Sequence, residues 1–348
     1  MCPAFLFMDE IFDKPFKTVK EQIEILKSRN LIIPDEEKAT TELRLKSYYK
    51  LINGYQNPFW AQTDYFQSGT SIYHILLLYT FDELMKDELL NRFLSLESKL
   101  KTIIAYEYCK VYGALGYENK DNYCVDESNS KLQDFFNVIN KIKHDATIDI
   151  NTLKGATNNN PESSQPKTFK YKPVGHYLQN HNGVPLWVMM ECLTLGNVSV
   201  FFELIPVDVK KAIADKISHI SKEQYSYKDI KIMLKTLTIL RNTCAHSNPL
   251  YNFKMKNNIS SNSFVKRVKS EYGDLNTNNL AAGFIILSAF LPEKDVINSF
   301  DIIKTYFESC KKSYSDRANA KIMDSMGFDL IKLLDILENN IKPVISYE

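Results

Sequence analysis

The stretch Tyr227-Lys228-Asp229-Ile230-Lys231-Ile232-Met233-Leu234-Lys235-Thr236-Leu237-Thr238-Ile239-Leu240-Arg241-Asn242-Thr243-Cys244-Ala245-His246 carries apolar residues at helical intervals. A helix turns Ile230, Met233, Leu234, Leu237 and Leu240 onto one face, whereas a strand would divide them between two. Asn248-Pro249 ends the segment, because the residue before a proline avoids the α region.

The same periodicity recurs on both sides. Thr18-Val19-Lys20-Glu21 has the capping-box pattern ahead of Val19, Ile23 and Leu26, and this helix stops near Asn30. Leu31-Ile32-Ile33 leads to Pro34, and Asp35, Glu36 and Glu37 open a second helix that runs through Tyr48-Tyr49-Lys50-Leu51 to Asn53-Gly54. Thr80-Phe81-Asp82-Glu83 reads as another capping box, starting a long helix to Cys109. Phe135 to Ile142 is helical, and the polar, Pro- and Asn-rich stretch from about 145 to 172 reads as a mobile loop insertion. Within it Lys167, Lys170 and Lys172 fit a solvated loop better than a polyanion contact. Pro185 begins a helix that pauses at Gly196-Asn197, Val198 to Ile205 continue to Pro206, and another helix reaches Ile220. Apolar spacing returns from Asp295 to Ser309 and from Ala318 to Leu337. The expected fold is all-α, with an N-terminal helical region over 1–80 and a larger helical domain over 81–348.

A chain of 348 residues can bury a large core. Its 11 Gly and 12 Pro are few beside 20 Tyr and 20 Phe, a balance that suits long helices. The six cysteines form no C-x-x-C pair, so zinc and disulfide frameworks are not expected. No cofactor fingerprint is present. The longest apolar run, Ala281 to Leu291, is about half a bilayer span. Asp9 and Glu10 replace the basic start of a secretion signal, which points to the cytoplasm and to no membrane partner. A net charge of +1 argues mildly against nucleic acid, although a local basic patch fits within a neutral total.

Arg241-Asn242-Thr243-Cys244-Ala245-His246 joins a permanent cation to a titratable imidazole at a helix end. A guanidinium can grip phosphate through its fork, and an imidazole can move protons near neutral pH. In an unbroken helix the two side chains would stand about 140° apart, so sharing a site requires the helix to loosen or a second element to complete it. The plainer reading is that both groups complement the carbonyls of the helix terminus, worth about 1 kcal/mol or less.

Beyond this motif, Phe12-Asp13-Lys14-Pro15-Phe16, Tyr48-Tyr49-Lys50-Leu51 with Gly54-Tyr55 and Pro58-Phe59, Pro185-Leu186-Trp187-Val188 with Leu195-Gly196-Asn197, and Arg241-Asn242 through Tyr251 occur in one order along the chain. That series resembles the AbiD/AbiF-type abortive-infection family of bacterial phage-defence proteins, whose last landmark carries the Arg-x4-6-His signature of HEPN domains. The resemblance implies a HEPN-type helical bundle, a part in phage defence or toxin-like growth arrest, and RNA as ligand or substrate. By position it makes Arg241 and His246 the catalytic pair and Asn242 their polar helper, in a metal-independent endoribonuclease that leaves 2′,3′-cyclic phosphate ends. It also implies a homodimer, since no second Arg-x4-6-His lies in the chain. The alternative within the same fold is a protein that clamps a cognate non-coding RNA without cutting it. A protein-interaction role is a third reading.

Further RNA-binding candidates surround the motif. Tyr251 offers a ring for stacking. Lys254, Lys256, Lys266, Arg267 and Lys269 form a basic run over Phe253 to Ser270, suited to phosphate contact or simply to a solvated loop. Arg44, Lys46, Tyr48, Tyr49 and Lys50, with Tyr55, mix charge and rings; stacking on RNA and aromatic core packing explain them equally well. His74 reads as a core or helix-surface residue.

Overall fold

A computed structural model describes residues 14–159, 171–246, 248–256, 259, 262–290 and 294–340, with the backbone alone for 149–159. Phe12, Asp13, Lys167 and Lys170 lie outside the described residues.

The described residues open with α1 (Val19–Ser28), where Thr18 and Glu21 close the expected capping box. Asp35 caps α2 (Glu36–Lys46). Here the expected continuous helix breaks: Ser47 adopts φ +62°, and Tyr49–Asn53 form a separate π-helical turn. A small antiparallel pair follows, β1 (Trp60–Gln62) with β2 (Tyr65–Phe66).

The central beam is α3 (Ile72–Tyr112), 41 residues and about 60 Å long. It starts nine residues earlier than the sequence suggested. Ser71 is its cap, with His74 accepting the Ser71 N–H, and Thr80 lies inside the helix, donating to the Leu76 carbonyl. The boundary drawn between residues 80 and 81 therefore falls within one continuous helix.

The remaining helices are α4 (Ser130–Asn159), α5 (Lys172–Asn180), α6 (Leu186–Cys192), α7 (Leu195–Leu204), α8 (Val207–Ser221), α9 (Tyr227–Ala245), α10 (Ser263–Tyr272), α11 (Ala281–Phe290), α12 (Lys294–Lys311), α13 (Asp316–Met326) and α14 (Leu330–Asn340). Three differ from expectation. The proposed loop insertion is helical as far as Asn159 and again from Lys172. The pause expected at Gly196-Asn197 falls earlier, at Leu193-Thr194, where Thr194 and Asn197 form a capping box. The basic run after Phe253 is partly the helix α10.

The all-α expectation holds. α3 packs against α6, α8, α9, α11 and α12, and α11 also meets α8, α9 and α14. Every residue of α11 is buried, so its apolar run is a core helix that is hydrophobic on all sides. Gly283 permits this crossing: a Cβ there would lie 3.1 Å from Phe93 and 3.2 Å from Leu240. Among the described residues, no helix is long and apolar enough to cross a membrane.

Candidate functional site

α9 presents its apolar side to the core through Ile230, Met233, Leu234, Leu237 and Leu240, as its spacing required. Its cap Ser226 closes a box with Asp229. At the other end the helix stops at Ala245, and His246 is already extended, at φ −110° and ψ 167°. The helix therefore ends one residue before His246, and neither group is sealed in the interior. His246 is exposed, and the Arg241 side chain keeps 35% of its surface.

Arg241 is held from below. Its Nε lies 3.6 Å from one carboxylate oxygen of Glu97 on α3, and the other oxygen accepts from Lys101 Nζ at 2.8 Å. Glu97 and Lys101 are both buried. At 3.6 Å the Arg241–Glu97 contact is an ion pair without a hydrogen bond, so the buried carboxylate supplies opposite charge beneath the guanidinium. Arg241 Nη1 also donates to the Asn242 side-chain oxygen at 3.3 Å, so the two residues act as one polar unit. Between them and His246, Cys244 faces the core, and burial pushes its thiol up to about 12.

The loop beyond His246 is anchored by a residue that the motif does not contain. Asp82, fully buried on α3, accepts the Leu250 N–H on both oxygens at 3.0 and 2.9 Å and the Tyr251 N–H at 2.6 Å. Tyr55 donates to the same carboxylate at 2.7 Å, and Lys86 lies 3.1 Å away. Burial pushes the Asp82 carboxyl above its usual range, and the Lys86 ammonium pulls against that rise. Lys86 is itself raised: burial disfavours its charge, but the Asp82 and Glu83 carboxylates outweigh it. Close backbone approach completes the anchor, because a Cβ on Gly54 would lie 3.1 Å from Pro249 Cγ.

Tyr251 departs from its expected role. It is 1% exposed, its ring stacks on Tyr55 with centroids 5.7 Å apart, and its hydroxyl donates to the Gly54 carbonyl at 3.4 Å. It is a core residue with no face to offer a base.

The other candidates divide. Tyr49 is 79% exposed and Arg44 is exposed. Tyr48 is half-buried, accepting from Arg29 at 3.5 Å. Lys46 pairs with Glu42, and Lys50 lies 3.7 Å from Glu83; both ammonium groups stand over the Tyr79 ring. Lys254, Lys256 and Lys266 are exposed, and Lys269 is half-buried. Arg267 is committed to the fold through Glu223 at 2.9 Å and Asn340 at 2.5 Å. Contacts through Asp82, Glu83 and Gly54 bring the Tyr48–Tyr55 segment against the loop after His246, so these two sequence-distant groups share one region.

Sequence reasoning missed Asp82, Lys86, Glu97 and Lys101. The signal was present as two acid–lysine pairs at i, i+4 along a helix. Such pairs usually mark a solvated face, and only their alignment with Leu78, Phe81, Met85, Leu89 and Phe93 hinted at burial. Among the described residues, no group of three or more His, Cys, Asp or Glu side chains could hold a metal ion.

Neither a curated protein nor a solved structure matches the chain. Residues 42–252 match the family described as Abi-like protein. That span is more than half of the 348 residues, and it begins on α2 and closes just after Tyr251, enclosing the segments that Asp82 ties together. The chain belongs to this Abi-like family of abortive-infection proteins.

Proposed function

We propose that this chain is an RNA-binding protein of phage defence and that Arg241, Asn242 and His246 form an RNA-cleaving site. One observation carries the reading: a guanidinium steadied by a buried carboxylate and an exposed imidazole occupy the same helix end. Glu97 lies beneath the guanidinium, and a phosphate would be taken by the part of Arg241 that stays exposed. The HEPN-type assignment and the homodimer belong to this proposal. A two-fold pairing of α9 ends would supply a second imidazole to the same phosphate.

The chemistry is attack of a ribose 2′-OH on the adjacent phosphorus. His246 takes the 2′ proton as the P–O bond forms, and the departing 5′-oxygen takes a proton from imidazolium or water. Arg241 stabilises the added charge on the phosphorane, where a preorganised cation is most effective. The products are a 2′,3′-cyclic phosphate and a 5′-OH, and DNA is inert.

The test is cleavage and binding of single-stranded RNA by the wild-type protein, Arg241→Ala and His246→Ala. The reading expects His246→Ala to lower the cleavage rate about 10²–10⁴-fold with binding retained. A 5′-phosphate product or a strict magnesium requirement contradicts the mechanism. A non-cleaving RNA clamp is favoured by the sharing of Glu97 between Arg241 and Lys101, which suits a fixed grip. It is distinguished by loss of binding in both variants with no cutting by the wild type.

A further inference from the structure

α3, α6 and the start of α5 border an open cleft of about 670 Å³ that takes in Lys101, a size suited to small ligands. Its walls include Lys101, Thr102 and Tyr106 of α3 and Trp187 and Glu191 of α6. Trp187 is 49% exposed and Tyr106 63% exposed, so two large rings remain open to solvent around one depression. Lys101 lines this cleft and also holds Glu97, whose second oxygen faces Arg241. A single carboxylate therefore links the cleft to the candidate cleavage site.

We infer that the cleft is a stacking subsite for an unpaired base of single-stranded RNA, next to the phosphate held at Arg241; this rests on the RNA reading above. Aromatic faces with adjacent cations are what single strands require, since every base can stack and every link is anionic. Both lysines of the cleft are already paired, Lys101 with Glu97 at 2.8 Å and Lys110 with Glu107 at 3.0 Å, so the open rings of Trp187 and Tyr106 and not free positive charge would hold a base here. Glu191 repels phosphate within the cleft but can accept from an exocyclic amine, which directs a base inward and the backbone outward. A protein segment would need the apolar walls but not the route to Arg241.

The experiment uses the full chain, a fluorescein-labelled single-stranded 12-mer oligoribonucleotide, and the same sequence as a duplex. Tyr106→Ala, Trp187→Ala and Trp187→Phe are compared with Arg241→Ala, and circular dichroism checks folding. Trp60→Phe leaves Trp187 as the remaining tryptophan reporter, because the chain has two. The inference expects the single strand to quench Trp187 fluorescence. It expects Tyr106→Ala and Trp187→Ala each to weaken single-strand binding by roughly tenfold, with Trp187→Phe close to wild type. Duplex binding should change less. If Trp187→Ala fails to fold, the quenching and the exposed Tyr106 variant decide. Single-strand binding that Arg241→Ala weakens, with no quenching and no effect at Tyr106 or Trp187, overturns the subsite and leaves the proposed function standing. No binding of any RNA by the wild type overturns both. Unchanged RNA affinity with a shifted oligomeric state in the cleft variants overturns the subsite in favour of a protein interface.

Discussion

Asp82 accepts the backbone N–H of Leu250 on both carboxylate oxygens, across 168 residues of sequence. This bond ties the middle of α3 to the loop that follows His246. The Arg241–His246 end of α9 is therefore positioned by α3 from two points, Glu97 beneath the guanidinium and Asp82 beneath the loop.

Asp82→Ala should destabilise the protein by about 3–5 kcal/mol, because it leaves two backbone donors and the Tyr55 hydroxyl unpaired in the interior and takes one of the two carboxylates from Lys86, which keeps Glu83. Tyr55→Phe removes one donor to the same carboxylate and should cost about 1.5–3 kcal/mol. Urea unfolding followed by circular dichroism measures both. Equal, small effects would mean that the anchor is unimportant.

Glu97→Gln keeps the shape at the α3–α9 contact but removes the charge that steadies Arg241. If Arg241 stabilises the transition state, RNA cleavage should slow by about 10–100-fold while RNA affinity changes less. Single-turnover rates and Kd values, set beside the melting temperature, separate lost positioning from lost stability.

Tyr49 and Tyr251 make opposite predictions despite both being tyrosines near the site. Tyr251→Ala should cost about 3–5 kcal/mol through cavity formation. Tyr49→Ala, at a ring that is 79% exposed, should leave stability within about 0.5 kcal/mol. If Tyr49 stacks on RNA, its loss should weaken single-strand binding. Thermal melts and fluorescence anisotropy resolve the pair.

Glu203 on α7 receives Lys131 of α4 and Lys231 and Lys235 of α9 at 2.7–2.8 Å. Burial opposes its ionisation, but the three ammonium groups outweigh it and hold the carboxyl at about 2. Its folded pKa is below its ordinary value of 4.5, so the stabilisation is complete above that pH and is lost as pH falls toward about 2. With the lysines about half exposed, solvent screening leaves a contribution of about 1–2 kcal/mol. Glu203→Gln should flatten this part of the stability–pH curve; an unchanged acid limb would refute the assignment.

Among the cysteines of the described residues, alkylation at pH 8 should modify exposed Cys124 first. Cys244 and Cys310 are buried, with thiols pushed up to about 12 and about 11, and should react only on unfolding. Peptide mass spectrometry over time gives the order.

Local physics made much of the fold legible. The Thr18 capping box, the Pro185 start and the apolar face of α9 each depend on residues within a few positions, and each is found where expected. The failures share a cause. The Thr80 pattern has the capping residues, but the helix was already nucleated at Ser71, and extending a helix is easier than starting one. The same cooperativity carries α4 through its polar stretch to Asn159.

Sequence alone determined that the chain is helical and that a guanidinium and an imidazole sit where α9 must end, because periodicity and a proline are local properties. Tertiary structure alone decided which groups hold them. Asp82 fell within a capping-box pattern and Glu97 within a long helix, and only once α9 and its loop fold over α3 does burial make each depend on the partners beside it.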